Sequence, residues 1–147
     1  MKHSREKRSI IAKTVLKEYD HDFSIVMLSV NDLEKAKEMM FILPFFSITF
    51  THEEISIVLK SDDWCNIKTK FSNYKEQGPF RLITFDIELD LSLVGYLAII
   101  SSSLSDAGIS IFVISTYLKD HTLVKKDQIA KALQILHEVI NEAKGTI

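Results

Sequence analysis

One stretch of the chain, Asp86–Val124, constrains its fold more than any other. Its pattern predicts a strand, a turn, a helix that ends at a glycine, and then two further strands. Ser92 is placed to cap the start of the helix, and Gly108 suits the left-handed conformation that ends many helices. The predicted helix carries apolar residues at helical spacing, which are Leu93, Leu97, Ile100 and Leu104. One face of this helix therefore packs on a sheet.

The segments on either side repeat this arrangement. Residues 23–30 are apolar and partly β-branched, which predicts a buried strand, and a short helix follows it. Two-residue alternation over 46–50 and again over 55–59 predicts a hairpin. An apolar stripe over 127–143 predicts a last helix. The order β-α-β-β, then β-α-β-β-α, indicates an α+β sandwich of two similar halves, with antiparallel sheets and helices on one side.

The boundary between the halves is predicted at Gly78-Pro79, which interrupts the pattern before the next strand. The first half then spans residues 23–78 and the second spans 79–144. Each half alone would bury little surface, so the halves are expected to share or abut their sheets.

Residues 1–22 read as a basic N-terminal extension to these halves. Apolar residues at helical spacing, continuing to Val15, indicate a short amphipathic helix. Such a helix is either an arm for an acidic partner or membrane surface, or a solvated segment with one apolar side packed on the domain.

Composition narrows the class of protein. The chain has 147 residues, enough for one domain or two very small ones, and its formal net charge of -2 argues against a nucleic-acid partner. No apolar run approaches the ~20 residues of a membrane span. Cys65 is the single cysteine, which excludes an internal disulfide and fits a reducing compartment. We therefore expect a cytoplasmic protein with no nucleic-acid or membrane partner.

Patterns typical of catalysis or metal binding are missing from the sequence. His52-Glu53-Glu54 lacks the second histidine of the zinc-protease motif, and Cys65 has no partner cysteine for a zinc site. Neither a Gly-x-Ser-x-Gly elbow nor a glycine-rich phosphate loop occurs. We expect a protein that is not an enzyme, with no cofactor and no metal.

Several short motifs, in one order and spacing, resemble those of ACT domains, the small-molecule-binding regulatory modules of amino-acid metabolism. These motifs are Asp90–Gly95 (DLSLVG), Ala107–Phe112 (AGISIF), Ile114–Tyr117 (ISTY) and Asp120–Val124 (DHTLV). The chain looks like a tandem ACT-like protein, related to the regulatory domains of aspartate kinases and to the cytosolic arginine sensors of animals. The resemblance covers about residues 23–140 and implies a ferredoxin-like βαββαβ unit.

The resemblance also implies a ligand site, where the loop into the first helix of one unit meets a strand of the neighbouring unit. The residues that it assigns to this site are Ser92, Leu93, Val94 and Gly95 in the loop, Ile109, Ser110 and Ile111 in the strand, and Ser115, Thr116 and Asp120 as side-chain contributors.

Three of these residues also make chemical sense by themselves. A helix that starts at Ser92 would offer free backbone N–H groups to a ligand carboxylate, and Gly95 would allow close approach to the backbone. Asp120 suits an ammonium or guanidinium group. Each residue equally has a structural explanation, as a helix cap, a packing glycine and a turn residue. Lys119 departs from the family pattern, which argues against arginine as the ligand.

These observations lead to two hypotheses of different classes. The first is an allosteric regulatory module that binds an amino acid or similar small polar metabolite at the interface between ACT-like units. We expect it to form a homodimer and to act on a regulated protein partner. The second is a constitutive dimerisation or adaptor module without a ligand. Pairing of the units within one chain and pairing between chains both fit the sequence.

Overall fold

The computed structural model describes residues 2–39 and 44–145. The chain divides into two compact units. One unit, here the composite unit, consists of the described residues within 1–19 and 81–147, and the other, the inserted unit, consists of those within 20–80. Within the described residues, no helix has the length and apolar character required to cross a membrane.

Twelve helices and strands are named here in chain order. They are α1 (Lys2–Lys13), β1 (Val15–Glu18), β2 (Phe23–Leu28), α2 (Leu33–Lys37), β3 (Ser47–Phe50), β4 (Ile55–Lys60), α3 (Ser61–Ile67), β5 (Tyr74–Asp86), α4 (Tyr96–Asp106), β6 (Phe112–Ser115), β7 (Asp120–Lys125) and α5 (Ile129–Gly145).

The inserted unit contains β2, α2, β3, β4, α3 and the first part of β5. Its strands lie in the order β3-β4-β2-β5, and the neighbouring pairs are antiparallel. Strand β4 is buried along most of its length because both of its faces carry large apolar residues, which are Ile55, Ile57, Val58 and Leu59. Trp64 of α3 packs in the same core, and its indole N–H donates a hydrogen bond to the Glu76 carboxylate.

The composite unit contains the rest of β5, then α4, β6, β7 and α5, together with α1 and β1 from the N-terminus. Its strands lie in the order β1-β5-β7-β6. Strand β1 pairs antiparallel with β5, so that Val15 lies opposite Asp86 and Glu18 lies opposite Ile83. The core of the unit forms between its sheet and its helices, with Phe85, Ile100, Leu104 and Leu136 almost fully buried.

The predicted α+β ferredoxin-like fold with antiparallel strand pairing is confirmed. The inserted unit completes the βαββαβ order within one continuous segment. In the composite unit, the fourth strand comes from the N-terminus of the chain instead of following α5.

The N-terminal segment therefore differs from the expected extension. Helix α1 ends at Lys13, and the segment from Val15 onward is a strand, not a continuation of the helix. Ile11 and Ala12 are buried in the core of the composite unit, which ties α1 to it. The strand alternates accordingly, with Leu16 half-buried between exposed neighbours.

Gly78-Pro79 does not interrupt the strand, contrary to the prediction, because β5 continues through both residues. The pairing with β2 shifts register here, from Ile25 opposite Gln77 to Phe23 opposite Phe80. Two residue steps on β2 thus face three on β5, which is the signature of a β-bulge. A bulge accommodates proline because it leaves a residue outside the ladder of backbone hydrogen bonds.

Candidate functional site

The loop between β5 and α4 is closed by the side chain of Asp90. Its carboxylate accepts a hydrogen bond from the Ser92 backbone N–H at 2.7 Å and another from the Ser92 hydroxyl. The Leu93 N–H donates to the Asp90 carbonyl at 2.9 Å. Both hydrogen bonds from Ser92 favour the charged carboxylate and hold the pKa of Asp90 below its ordinary value.

Helix α4 starts at Tyr96, so its cap lies three residues after the predicted cap at Ser92. Its N-cap is Gly95, with a φ of +89°, a left-handed conformation that favours glycine. The Ser92 hydroxyl is bound to Asp90, so the predicted cap was wrong. The buried face of α4 shifts with this start and consists of Tyr96, Ile100 and Leu104, without Leu97.

A second turn, between β6 and β7, faces this loop. Thr116 fixes it, since its hydroxyl donates to the Lys119 carbonyl at 2.9 Å and accepts from the Lys119 N–H at 3.3 Å. The Leu89 N–H donates to the Leu118 carbonyl at 3.1 Å, which joins the loop to the turn. The loop and the turn therefore form two connected walls.

Between these walls lies a cleft of about 300 Å³ within the composite unit, named here the loop cleft. It is lined by Leu89, Asp90, Leu91, Leu93, Gly95, Tyr96, Leu97 and Ala98 from the loop and the start of α4, and by Ser115, Thr116, Lys119 and Asp120 from the turn.

The structure brings together half of the ten residues that the resemblance assigned to a ligand site. Those that line the loop cleft are Leu93, Gly95, Ser115, Thr116 and Asp120. Ser92 and Val94 line a neighbouring cavity of about 190 Å³, together with Glu6 and Ile10 of α1. The role of each as a ligand contact stays a prediction.

The predicted strand residues Ile109, Ser110 and Ile111 lie elsewhere. They precede β6, which begins only at Phe112, and they do not line the loop cleft. Ile109 is buried in the core, and its N–H donates to the Leu104 carbonyl at 3.0 Å as part of the end of α4. These residues therefore connect helix to strand at a distance from the cleft lining.

Sequence reasoning missed several residues of the cleft, and Lys119 matters most among them. Its ammonium donates to the Asp86 carboxylate at 2.5 Å, and both side chains are about one-third to one-half exposed. The hydrogen bond to Lys119 is the main cause that holds the pKa of Asp86 below its ordinary value, and the same bond raises the pKa of Lys119. The departure of Lys119 from the family pattern was the one signal in the sequence.

Tyr96 is the second residue that sequence reasoning missed. Its hydroxyl lies 2.8 Å from the Thr14 hydroxyl, and both side chains are buried. The Thr14 hydroxyl donates its one hydrogen bond to the Ile10 carbonyl at 3.0 Å. In the bond between the two hydroxyls, Tyr96 is therefore the donor. Burial raises the pKa of Tyr96 to about 12, which keeps the phenol protonated.

The charged groups of the cleft differ in whether they already have a hydrogen-bond or ion-pair partner in the protein. Asp90 is bound to Ser92 and Lys119 is bound to Asp86. The carboxylate of Asp120 makes no hydrogen bond or ion pair with any residue that the structure describes. Leu89, Leu93 and Leu97 remain half-exposed beside it. The cleft thus combines one carboxylate without a partner among the described residues, one ammonium that is paired with Asp86, and an apolar wall.

Within residues 2–39 and 44–145, the acidic, histidine and cysteine side chains form no group of three that could hold a metal ion.

One part of the chain matches a known protein family. Residues 76–138 match the model of the ACT domain family. This range includes the loop, α4, the turn and most of α5. No curated protein sequence gives a significant match to the chain.

Solved structures share the fold over nearly the whole chain. A protein of unknown function from Vibrio cholerae, described as a possible transport protein, has a TM-score of 0.74 at 22% identity and covers 93% of this chain and 97% of its own. A protein from Agrobacterium tumefaciens has a TM-score of 0.64 at 25% identity, over 86% and 89%. The regulatory subunit of aspartate kinase from Thermus thermophilus has a TM-score of 0.61 at 9% identity, over 84% and 95%. The predicted resemblance to ACT domains is confirmed over residues 76–138, and the chain shares its fold with the regulatory subunit of aspartate kinase.

Proposed function

We propose that this chain, which contains an ACT domain, is a non-catalytic regulatory module whose loop cleft binds an amino acid or a similar small polar metabolite. The observation that carries the proposal is the loop cleft itself. It gathers Gly95, Ser115, Thr116 and Asp120, which the resemblance to ACT domains had assigned to a ligand site, around one opening.

The size and charges of the cleft suit a free amino acid. A volume of about 300 Å³ lies at the lower end of small-molecule sites. Asp120 offers a carboxylate to the ammonium group of such a ligand, and Lys119 offers an ammonium to its carboxylate. The hydroxyl of Ser115 adds a polar contact.

Thermal unfolding of the purified protein with each of the standard amino acids tests this proposal. A ligand at 100 times its dissociation constant adds about 2.7 kcal/mol to the free energy of unfolding. For a chain of this length, that corresponds to a rise in Tm of roughly 5–10 °C.

The matched variants are Asp120→Asn and Asp106→Asn, which each remove one carboxylate. Asp106 is exposed at the end of α4, outside the cleft lining. We expect Asp120→Asn to abolish the rise in Tm and Asp106→Asn to keep it. Binding that survives Asp120→Asn unchanged would place the ligand elsewhere.

A second candidate function, assembly of copies of the chain without a ligand, is favoured by exposed apolar residues of the loop and the turn, here called the apolar rim. Leu91, Val94 and Tyr117 are 73%, 70% and 79% exposed, and Leu118 is 51% exposed. Exposed apolar groups of this size mark many interaction surfaces. Covering of this rim by a second copy would place the cleft between ACT-like units of two chains.

Light scattering after size-exclusion chromatography distinguishes the two candidates. An assembly module is a dimer in the absence of any ligand, and Leu91→Ser with Tyr117→Ser makes it a monomer. A sensor changes its mass or its Tm only when the amino acid is added. Both candidate functions are compatible with a homodimer that acts on another protein.

A further inference from the structure

We propose that Lys119 selects the ligand of the loop cleft, by exchanging the carboxylate of Asp86 for the carboxylate of an amino acid whose side chain is neutral and apolar. This inference rests on the proposed function and adds to it the class of the ligand and the residue that chooses it.

The position of Lys119 carries the first step. Lys119 lines the loop cleft, and its ammonium reaches the Asp86 carboxylate at 2.5 Å at the end of β5. The two residues are held close by the backbone as well, since the Leu89 N–H donates to the carbonyl of Leu118 at 3.1 Å. The cation of the cleft therefore already holds a carboxylate, and that carboxylate belongs to the protein.

The exposure of this ion pair makes the exchange feasible. The side chains of Lys119 and Asp86 are 32% and 44% exposed, and ion pairs with that access to water contribute little to stability. Asp86 loses little when its partner leaves, because water hydrates its carboxylate. A carboxylate that enters the cleft meets the same ammonium without requiring a buried charge to be left unpaired.

The other charges of the cleft decide where the ammonium of the ligand lies. The Asp90 carboxylate is occupied by the N–H and the hydroxyl of Ser92. Asp120 is the cleft carboxylate that holds no hydrogen bond among the described residues. An α-amino acid fits when its ammonium pairs with Asp120 and its carboxylate pairs with Lys119.

The apolar residues that line the cleft determine which side chain of a ligand fits best. Leu89, Leu93 and Leu97 line the cleft and are only half-buried, so a hydrocarbon side chain would cover apolar surface that now meets water. A guanidinium or ammonium side chain would instead be repelled by Lys119. The class favoured is that of leucine, isoleucine and valine.

The test uses leucine and two analogues that each lack one charged group. 4-Methylpentanoate lacks the ammonium, and 3-methylbutylamine lacks the carboxylate. Calorimetric titration measures binding of each probe to the wild-type chain, Lys119→Met, Asp86→Asn and the control Lys144→Met, which removes an exposed lysine near the end of α5.

We expect Lys119→Met to weaken the binding of leucine and of 4-methylpentanoate by at least tenfold and to change that of 3-methylbutylamine by less than twofold. Asp86→Asn removes the competing carboxylate and should strengthen the binding of 4-methylpentanoate at least threefold. Lys144→Met should leave all three probes unchanged.

Two results would overturn the inference while leaving the proposed function in place. One is leucine binding that does not depend on Lys119, and the other is a wild-type chain that binds arginine or lysine in the cleft and none of the apolar amino acids. If no amino acid of any class binds, both the proposed function and this inference fail.

Discussion

The hydrogen bond between Thr14 and Tyr96 allows a quantitative test of how the N-terminal segment belongs to the composite unit. It joins two buried hydroxyls that are 82 residues apart, at 2.8 Å. The Thr14 hydroxyl donates its one hydrogen bond to the Ile10 carbonyl. In the bond between the two hydroxyls, Tyr96 is therefore the donor and Thr14 the acceptor. Replacing Tyr96 and replacing Thr14 should therefore lower the free energy of unfolding by different amounts.

Tyr96→Phe removes the donor and leaves Thr14 still bonded to Ile10. The cost is that of one net hydrogen bond, about 1 kcal/mol. Thr14→Val removes the acceptor and leaves the Tyr96 hydroxyl buried without one, which costs about 1–3 kcal/mol. Because the orphaned hydroxyl is absent from the double variant, its loss should be smaller than the sum of the two single losses.

Urea unfolding, followed by fluorescence and circular dichroism, measures these free energies. Tyr117→Phe and Thr49→Val are the matched controls because both side chains are exposed, and each should change the free energy of unfolding by less than about 0.5 kcal/mol. Strictly additive losses would refute the reasoning. So would a Tyr96→Phe variant as stable as Tyr117→Phe, since the N-terminal segment would then not be bonded to α4 in solution.

Two further predictions concern stability. Burial lowers the pKa of His121, so the folded chain binds its proton less readily than the unfolded chain. The free energy of unfolding should therefore keep its full value at pH values above about 6.5, the pKa of the unfolded histidine, and fall as the pH drops below it. His121→Gln should flatten this slope in urea titrations from pH 7.5 to 5, whereas exposed His137→Gln should keep it. Separately, Gly95→Ala and Gly108→Ala should each cost about 1–2 kcal/mol, because φ is +89° and +74° and alanine is strained there. A new Cβ on Gly95 would also meet the tip of a flexible lysine at 2.8 Å, so a much larger loss at Gly95 in the same assay would contradict a strain-only cost.

Local patterns predicted the parts of this structure that local forces determine. Gly108 adopts the left-handed conformation expected after α4, with a φ of +74°. The alternation over residues 46–50 and 55–59 became the antiparallel pair β3 and β4. In each case the signal and its consequence lie within a few residues of one another.

The errors occurred where two local signals compete or where the partner is far away in the chain. Ser92 is a good N-cap by type, but Asp90 engages its hydroxyl two residues earlier and Gly95 starts the helix. A short segment such as Val15–Glu18 carries little pattern of its own and becomes a strand because it pairs with β5. Composition alone gives no sign of that pairing.

The loop cleft was only partly predictable for the same reason. Its walls come from a loop and a turn that are separated in the chain, and the ion pair between Lys119 and Asp86 spans 33 residues. The resemblance to ACT domains supplied Gly95, Ser115, Thr116 and Asp120 as site residues. It did not supply Lys119, which this chain has in place of the family pattern.

The most direct test of the central claim, that the loop cleft binds an amino acid, is a two-dimensional ¹H–¹⁵N NMR titration of the chain with each standard amino acid in turn, leucine first, at millimolar concentration. We expect the amide signals that shift to belong to residues 89–98 and 115–120, the two walls of the cleft, and Asp120→Asn to suppress these shifts. Unchanged spectra with every amino acid, or shifts confined to residues 23–80, would contradict it.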